Sequence, residues 1–316
     1  MQREKLFDLS RLKFTKSLYW LAVLSVAGAV VLVPFWMLDP RELGGVSVWE
    51  KPIKFFISSA IFSFTFSWLS SFISKGSRGV RMAGLLITIS LAVELVLIVA
   101  MAALGTTSHF NVSTPTAIAI WSIMATFISI VLFSTLFLSF VILFQKQQEF
   151  NLKLTLALGS LNTAIGMGLA YLMTSPTANQ LANFQGIAGA HAVGVSDGGP
   201  GLPFLGWSTV AGDLRVGHFF GLHSIQIAAI LLAISLIVPI AFRVPLLIVG
   251  NLTWLGFVGL VTWQSLRAEP FASPGALTLT GFAGLLAVAS VSFALLVMAQ
   301  RRSKSATLSE AGQSEK

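Results

Sequence analysis

A single carboxylate, Glu94, sits inside an otherwise uncharged run, Leu91-Ala92-Val93-Glu94-Leu95-Val96-Leu97. An acid there is costly unless it is protonated, paired or facing water, and such acids mark ion or proton pathways. The plainer alternative is a protonated glutamate bonded to a neighbouring helix. The second concentration of chemistry is Asp213-Leu214-Arg215-Val216-Gly217-His218-Phe219-Phe220-Gly221-Leu222-His223-Ser224-Ile225-Gln226. On one continuous helix, Arg215, His218 and Gln226 fall within an arc of about 80°, with His223 at its flank. This predicts a polar column running inward to the depth of Glu94, roughly 15 Å below the end of its own helix. His218 and His223 are five residues apart and diverge by about 140°, unlike a His-x-x-x-His chelate. One is expected to face a cavity and the other to bond a neighbouring helix. Gly217 and Gly221 leave room beside His218 for a close helix or a flat cofactor.

Three further segments carry polar residues. Trp49-Glu50-Lys51-Pro52-Ile53-Lys54 leads into one apolar run, and Thr106-Thr107-Ser108-His109-Phe110-Asn111 follows another. A glycine-rich stretch at 175–213 contains His191, Asp197, Trp207 and Asp213. A loop that long is uncommon in a bundle and is often a lid or binding loop, with a disordered loop as the alternative. Leu181, Phe184 and Ile187 have helical spacing, which predicts a part lying along the interface. Lys51, Lys54 and Arg215 near helix N-termini would attract carboxylate, phosphate or haem propionate groups. Alternatively, the two lysines pair with Glu50 and Asp213 and leave a neutral rim.

These residues must be positioned by membrane-crossing helices. The 316-residue chain is 55% hydrophobic and 10% charged, and its charges cluster between apolar runs without polar faces. Lipid is the solvent that fits. Eight runs are long enough to cross: 17–37, 53–73, 82–104, 116–144, 153–174, 214–241, 244–264 and 275–298. Fifteen of the twenty Lys and Arg residues fall on one side of this arrangement. The positive-inside rule therefore puts both termini in the cytoplasm. The expected fold is all-α, a polytopic bundle of about eight transmembrane helices. Its organisation is a basic cytoplasmic N-terminus (1–16), one transmembrane domain (17–298) with a long outer loop at 175–213, and a polar, disordered cytoplasmic tail (299–316). Thr114-Pro115 and Ser273-Pro274 read as a cap residue followed by proline at the first helical position, a faint echo of a four-plus-four duplication.

The chain has no cysteine, which excludes disulfides, thiolate zinc sites, iron–sulfur clusters and c-type haem attachment. A b-type haem or a His/carboxylate metal site stays open, with His109, His218 and His223 as the available ligands and neither cofactor favoured. The formal charge of +8 does not point to nucleic acid, because the basic residues sit at span ends. The partners are the lipid bilayer and a small polar or anionic solute.

The strings Trp49-Glu50-Lys51-Pro52-Ile53-Lys54-Phe55, Ser108-His109-Phe110-Asn111 and Gly212 to His223 resemble segments of a family of bacterial polytopic integral membrane proteins with no known activity. The resemblance spans the second to the seventh apolar run. It implies a bacterial inner membrane and transfers no catalytic role. The leading expectation is a transport or permease-like protein, with proton coupling through Glu94. Its outward-opening site would draw on Lys51, Lys54, His109, Asn111, Asp213, Arg215, His218, His223 and Gln226. A haem b or metal-binding redox protein is the alternative. A membrane-embedded hydrolase or a non-catalytic assembly protein comes third.

Overall fold

Where water is absent, every backbone N–H and C=O must find a partner within its own segment, so long apolar runs become helices. The structure, a computed structural model, describes Asp8, Ser10, Lys13 and residues 15–73, 77–145 and 149–314. In chain order it comprises α1 (Lys16–Leu38), β1 (Glu42–Leu43), β2 (Val46–Ser47), α2 (Glu50–Ser70), α3 (Ser77–Ala103), α4 (Pro115–Leu143) and α5 (Phe150–Gly168). A 3-10 turn (Leu169–Met173), α6 (Ala178–Ala182), β3 (Ala192–Val193) and β4 (Gly212–Asp213) follow. The chain ends with α7 (Leu214–Leu222), α8 (Ser224–Ser235), α9 (Ile240–Leu266) and α10 (Ala276–Ser314). Seven helices are long and apolar enough to cross a membrane, or eight crossings result if α7 and α8 form one bent span. This is the pattern of a multi-pass membrane protein.

Several boundaries differ from the sequence expectation. Helix α2 begins at Glu50, so Lys51 and Lys54 occupy its first turns instead of a preceding loop. The span expected at 214–241 is broken at His223, where α7 and α8 meet at 45°. Thr114 caps α4 as expected, accepting from the Ala117 N–H with Pro115 at the first helical position. Ser273-Pro274 does not open α10, which begins two residues later at Ala276. The tail read as disordered continues the α10 backbone helix through Ser314. Of the basic residues assigned to the cytoplasmic side, Arg3, Lys5, Arg11, Lys75, Lys146 and Lys316 lie outside the described residues.

Helices α1, α2 and α3 pack together, α3 passes the contact to α4, and α4 to α5; α5 then packs on α7, α8 and α9, while α10 leans on α9. Buried Ser59, Ser63, Ser67 and Ser70 form a small-residue stripe on α2 that permits close approach, and Ser67 Oγ donates to the Thr15 carbonyl. The largest apolar core includes Phe66, Leu69, Ile87, Leu138, Leu156 and Leu232. It lies toward the end of the bundle with the short loops. The opposite end is covered by residues 174–212, the cap segment. A hairpin-like turn in it, bridged Gly201 to Ser208, is anchored by Trp207 against Phe219, Phe220 and Phe271. Of the helical spacing expected there, only the short α6 forms, with a Thr177/Gln180 capping box; Leu181 within it and Phe184 just after it are exposed.

Candidate functional site

Besides the ion pairs Asp39–Arg41 and Arg267–Glu269 at the helix ends, four acid–base pairs gather beneath and within the cap segment. Three are closed by direct contact. Glu50 and Lys54, one turn apart on α2, join at 2.8 Å. Lys54 also donates to the Phe204 carbonyl at 2.9 Å, tying α2 to the cap. Asp213, fully buried at the α7 N-cap, accepts from the Ser208 and Arg215 N–H groups and from the Arg215 guanidinium. Arg215 reaches on to the Gly206 carbonyl at 2.5 Å. A Cβ at Gly206 would lie within 4 Å of Arg215, Lys54 and Glu50, so this backbone sits among all three. The third pair, His191 with Asp197 at 2.8 Å, is internal to the cap.

The fourth pair is open. Lys51 and Glu94 interact electrostatically, yet no contact ion pair joins them. Glu94 is 4% exposed, and its Oε1 has no hydrogen-bond partner. Lys51 Nζ instead lies 3.1 Å from His109 Nδ1. An ammonium only donates, so Nδ1 accepts and the neutral His109 ring carries its proton on Nε2. Burial first, then the charges of Lys51 and His191, hold the His109 imidazole well below its ordinary value.

Two antiparallel contacts bring the loops together. Asn111 bridges Ile187, and β3 pairs with β4 so that Ala192 faces Asp213. This places His191 at the start of α7, where the Leu214 N–H donates to its carbonyl. A carboxylate only accepts, so His191 donates from Nδ1 to Asp197, leaving Nε2 as an acceptor. Burial pushes the His191 imidazole down, against the opposing Asp197 hydrogen bond. Burial also opposes ionisation of Asp197, but its bonds to His191 and the backbone N–H groups of Ala192 and His191 prevail and hold it at about 2. Phe110 and Phe204 both adopt left-handed backbone conformations, each costing about 1 kcal/mol or more. Their carbonyls accept from Ala188 and Lys54, so the strain lies where the cap meets the bundle.

The predicted column on one helix face is not formed, because the bend at His223 turns its parts toward different neighbours. His218 donates from Nδ1 to the Gly166 carbonyl of α5 at 2.9 Å. Gln226 donates to Thr65 of α2 at 2.8 Å and also lies against His223. His223 lies edge-on against Phe219. The charged neighbour of Glu94 is therefore Lys51 of α2, not Arg215 or His218. The room foreseen beside His218 is filled by helices: a Cβ at Gly221 would meet Gly166 at 2.3 Å, and one at Gly217 would meet Thr262 at 2.0 Å. Asn111 braces its own turn through Thr106 and Ser113 instead of facing the charges.

Nevertheless all four histidines of the chain lie in one electrostatic neighbourhood: His191 acts on both His109 and His218, and His223 acts on His218. The His191–Asp197 pair was missed as a site by sequence reasoning, since six residues of glycine-rich loop carry no periodicity that foretells a contact. Among the described residues, no group of three His, Asp or Glu side chains is placed to hold a metal ion. No family model, curated protein or solved structure matches the chain.

Proposed function

We propose that this is a bacterial inner-membrane transport protein, permease-like and proton-coupled, for a small polar solute. Lys51 and Glu94 form its solute and proton site, and residues 174–212 form the cover over its outward mouth. One observation carries this reading: three acids of the cap end, Glu50, Asp197 and Asp213, are each closed by a direct basic contact, while the buried Glu94 and its lysine form no contact pair. A purely structural bundle gains nothing from an open pair, since an unpartnered buried carboxylate costs several kcal/mol. Glu94 exchanges a proton as the solute comes and goes. The basic residues favour cytoplasmic termini, with the cap segment facing outward.

The test is solute-driven proton movement in proteoliposomes containing a pH-sensitive dye, challenged with small carboxylates, amino acids and phosphate. Glu94→Gln should reduce coupled flux at least about tenfold, the order expected for losing one essential proton group, with folding retained. Undiminished flux in that variant would sink the proposal. A haem b or metal site is the second reading, favoured by one contact. Because His218 Nδ1 donates to a carbonyl, Nε2 is presented in the way typical of ligating histidines. A Soret band or stoichiometric metal in the purified protein would bring that reading to the front.

A further inference from the structure

We infer that the solute is zwitterionic, an amino-acid-like molecule whose anionic end meets Lys51 and whose ammonium meets Glu94. The inference rests on reading this place as a solute site and adds the chemical class. The open pair supplies both halves of the recognition. Lys51 Nζ has no carboxylate partner and lies against His109 Nδ1, itself beside Ser108 Oγ at 3.0 Å. A carboxylate can accept from Lys51 there, with the Ser108 hydroxyl close by. On the other side Glu94 Oε1, 96% buried with its residue and unpartnered, needs a donor. An ammonium offers three.

Charge balance separates the candidate ligands. With His191 neutral, the only net charge among the four pairs is that of Asp197 within the cap, and the Lys51–Glu94 pair with both groups ionised is neutral by itself. While Glu94 is ionised, a simple anion would satisfy Lys51 but bring an uncompensated negative charge beside that carboxylate. A simple amine would do the reverse beside Lys51. Burying a net charge in this setting is far more costly than burying a matched pair. A zwitterion adds no net charge and bridges two groups that the helices hold apart.

The experiment is thermal unfolding of the purified, detergent-solubilised full chain, followed by tryptophan fluorescence. The probes are glycine, β-alanine and 4-aminobutyrate, each compared with the amine and the carboxylate of the same length. At least one zwitterion should raise Tm by about 5 °C at roughly 100 times its Kd, with the half-molecules giving no comparable shift. Glu94→Gln and Lys51→Met should each abolish the response, and Lys51→Arg should retain part of it. The wild-type comparison stands without the variants if one of them fails to fold. A plain carboxylate or amine as effective as the zwitterions would overturn the inference, as would no response to any probe. Zwitterion binding without uptake into proteoliposomes would remove the transport reading and leave the ligand class. Uptake of a plain anion, indifferent to zwitterions, would do the opposite.

Discussion

The two ends of this bundle solve the same packing problem with different materials. Toward the short loops, Phe66, Leu69, Ile87, Leu138 and Leu232 close a core from which charge is absent. Toward the cap, the helices are held by Lys54 on Phe204, Arg215 on Gly206, and Asp213 on Ser208. In lipid there is little hydrophobic force between helices, so the apolar end is held by shape and dispersion. The polar end is held by contacts that each require one specific partner. An apolar contact can be approximated by many residues; a buried carboxylate that loses its partner cannot. That is why the open Lys51–Glu94 pair stands out at this end, where Glu50, Asp197 and Asp213 each meet a basic side chain.

The largest effect should come from Asp213→Ala. It strips a fully buried acceptor from Arg215 and two backbone N–H groups, and should cost about 3–5 kcal/mol. Faster proteolysis within 200–212 should accompany the fall in Tm. If Tm falls without any exposure of the cap, the polar contacts are not what holds this end. Gly166→Ala should cost about 3 kcal/mol, at the upper end of overpacking penalties, because its Cβ would lie 2.2 Å from the Gly221 carbonyl carbon. Cross-linking between α5 and α7 should weaken in step with denaturant resistance. Phe66→Ala, at the apolar end, should cost less than in a water-soluble core, about 2 kcal/mol. The cavity term remains, while the transfer term shrinks in lipid. Equilibrium unfolding in mixed micelles measures it, and proteolysis of the cap should be unchanged.

Acidification gives the smallest effect. His109 and His191 are both held below their ordinary values in the folded protein. The unfolded chain therefore binds protons more readily, and stability falls as pH drops below about 6.5. Asp197 adds a second loss between about pH 4 and 2, of about 1 kcal/mol after allowing for a side chain 37% exposed. Hydrogen exchange of 186–193 at pH 7 and pH 5 is the measurement, and His109→Gln should flatten the difference. Equal protection at both pH values would show that the cap end does not respond to these histidines.

Much of the scaffold was legible in order of residues. The apolar runs mark most helix ends to within a few positions, the C-terminal ends of α5, α8 and α10 excepted, and Thr114-Pro115 marks the start of α4. The break at His223 was not legible, because nothing in Leu222-His223-Ser224 forbids a continuous helix. The column argued from that helix failed for the same reason. Glu94 could be singled out since a lone acid in an apolar run is anomalous anywhere. Its neighbour could not, because Lys51 stood among six candidate bases. His191 and Asp197 looked like ordinary loop residues until β3 and β4 paired.

Composition and periodicity by themselves determined that this chain is helical and suited to lipid, because moving apolar side chains and unpaired backbone groups between solvents is a local cost that each segment meets alone. Only the tertiary structure decided which charges meet. Lys51 finds His109 across 58 residues and Lys54 finds Phe204 across 150. Such pairings depend on helix packing and the fold of the cap, and electrostatic energy falls with a distance that chain order does not set.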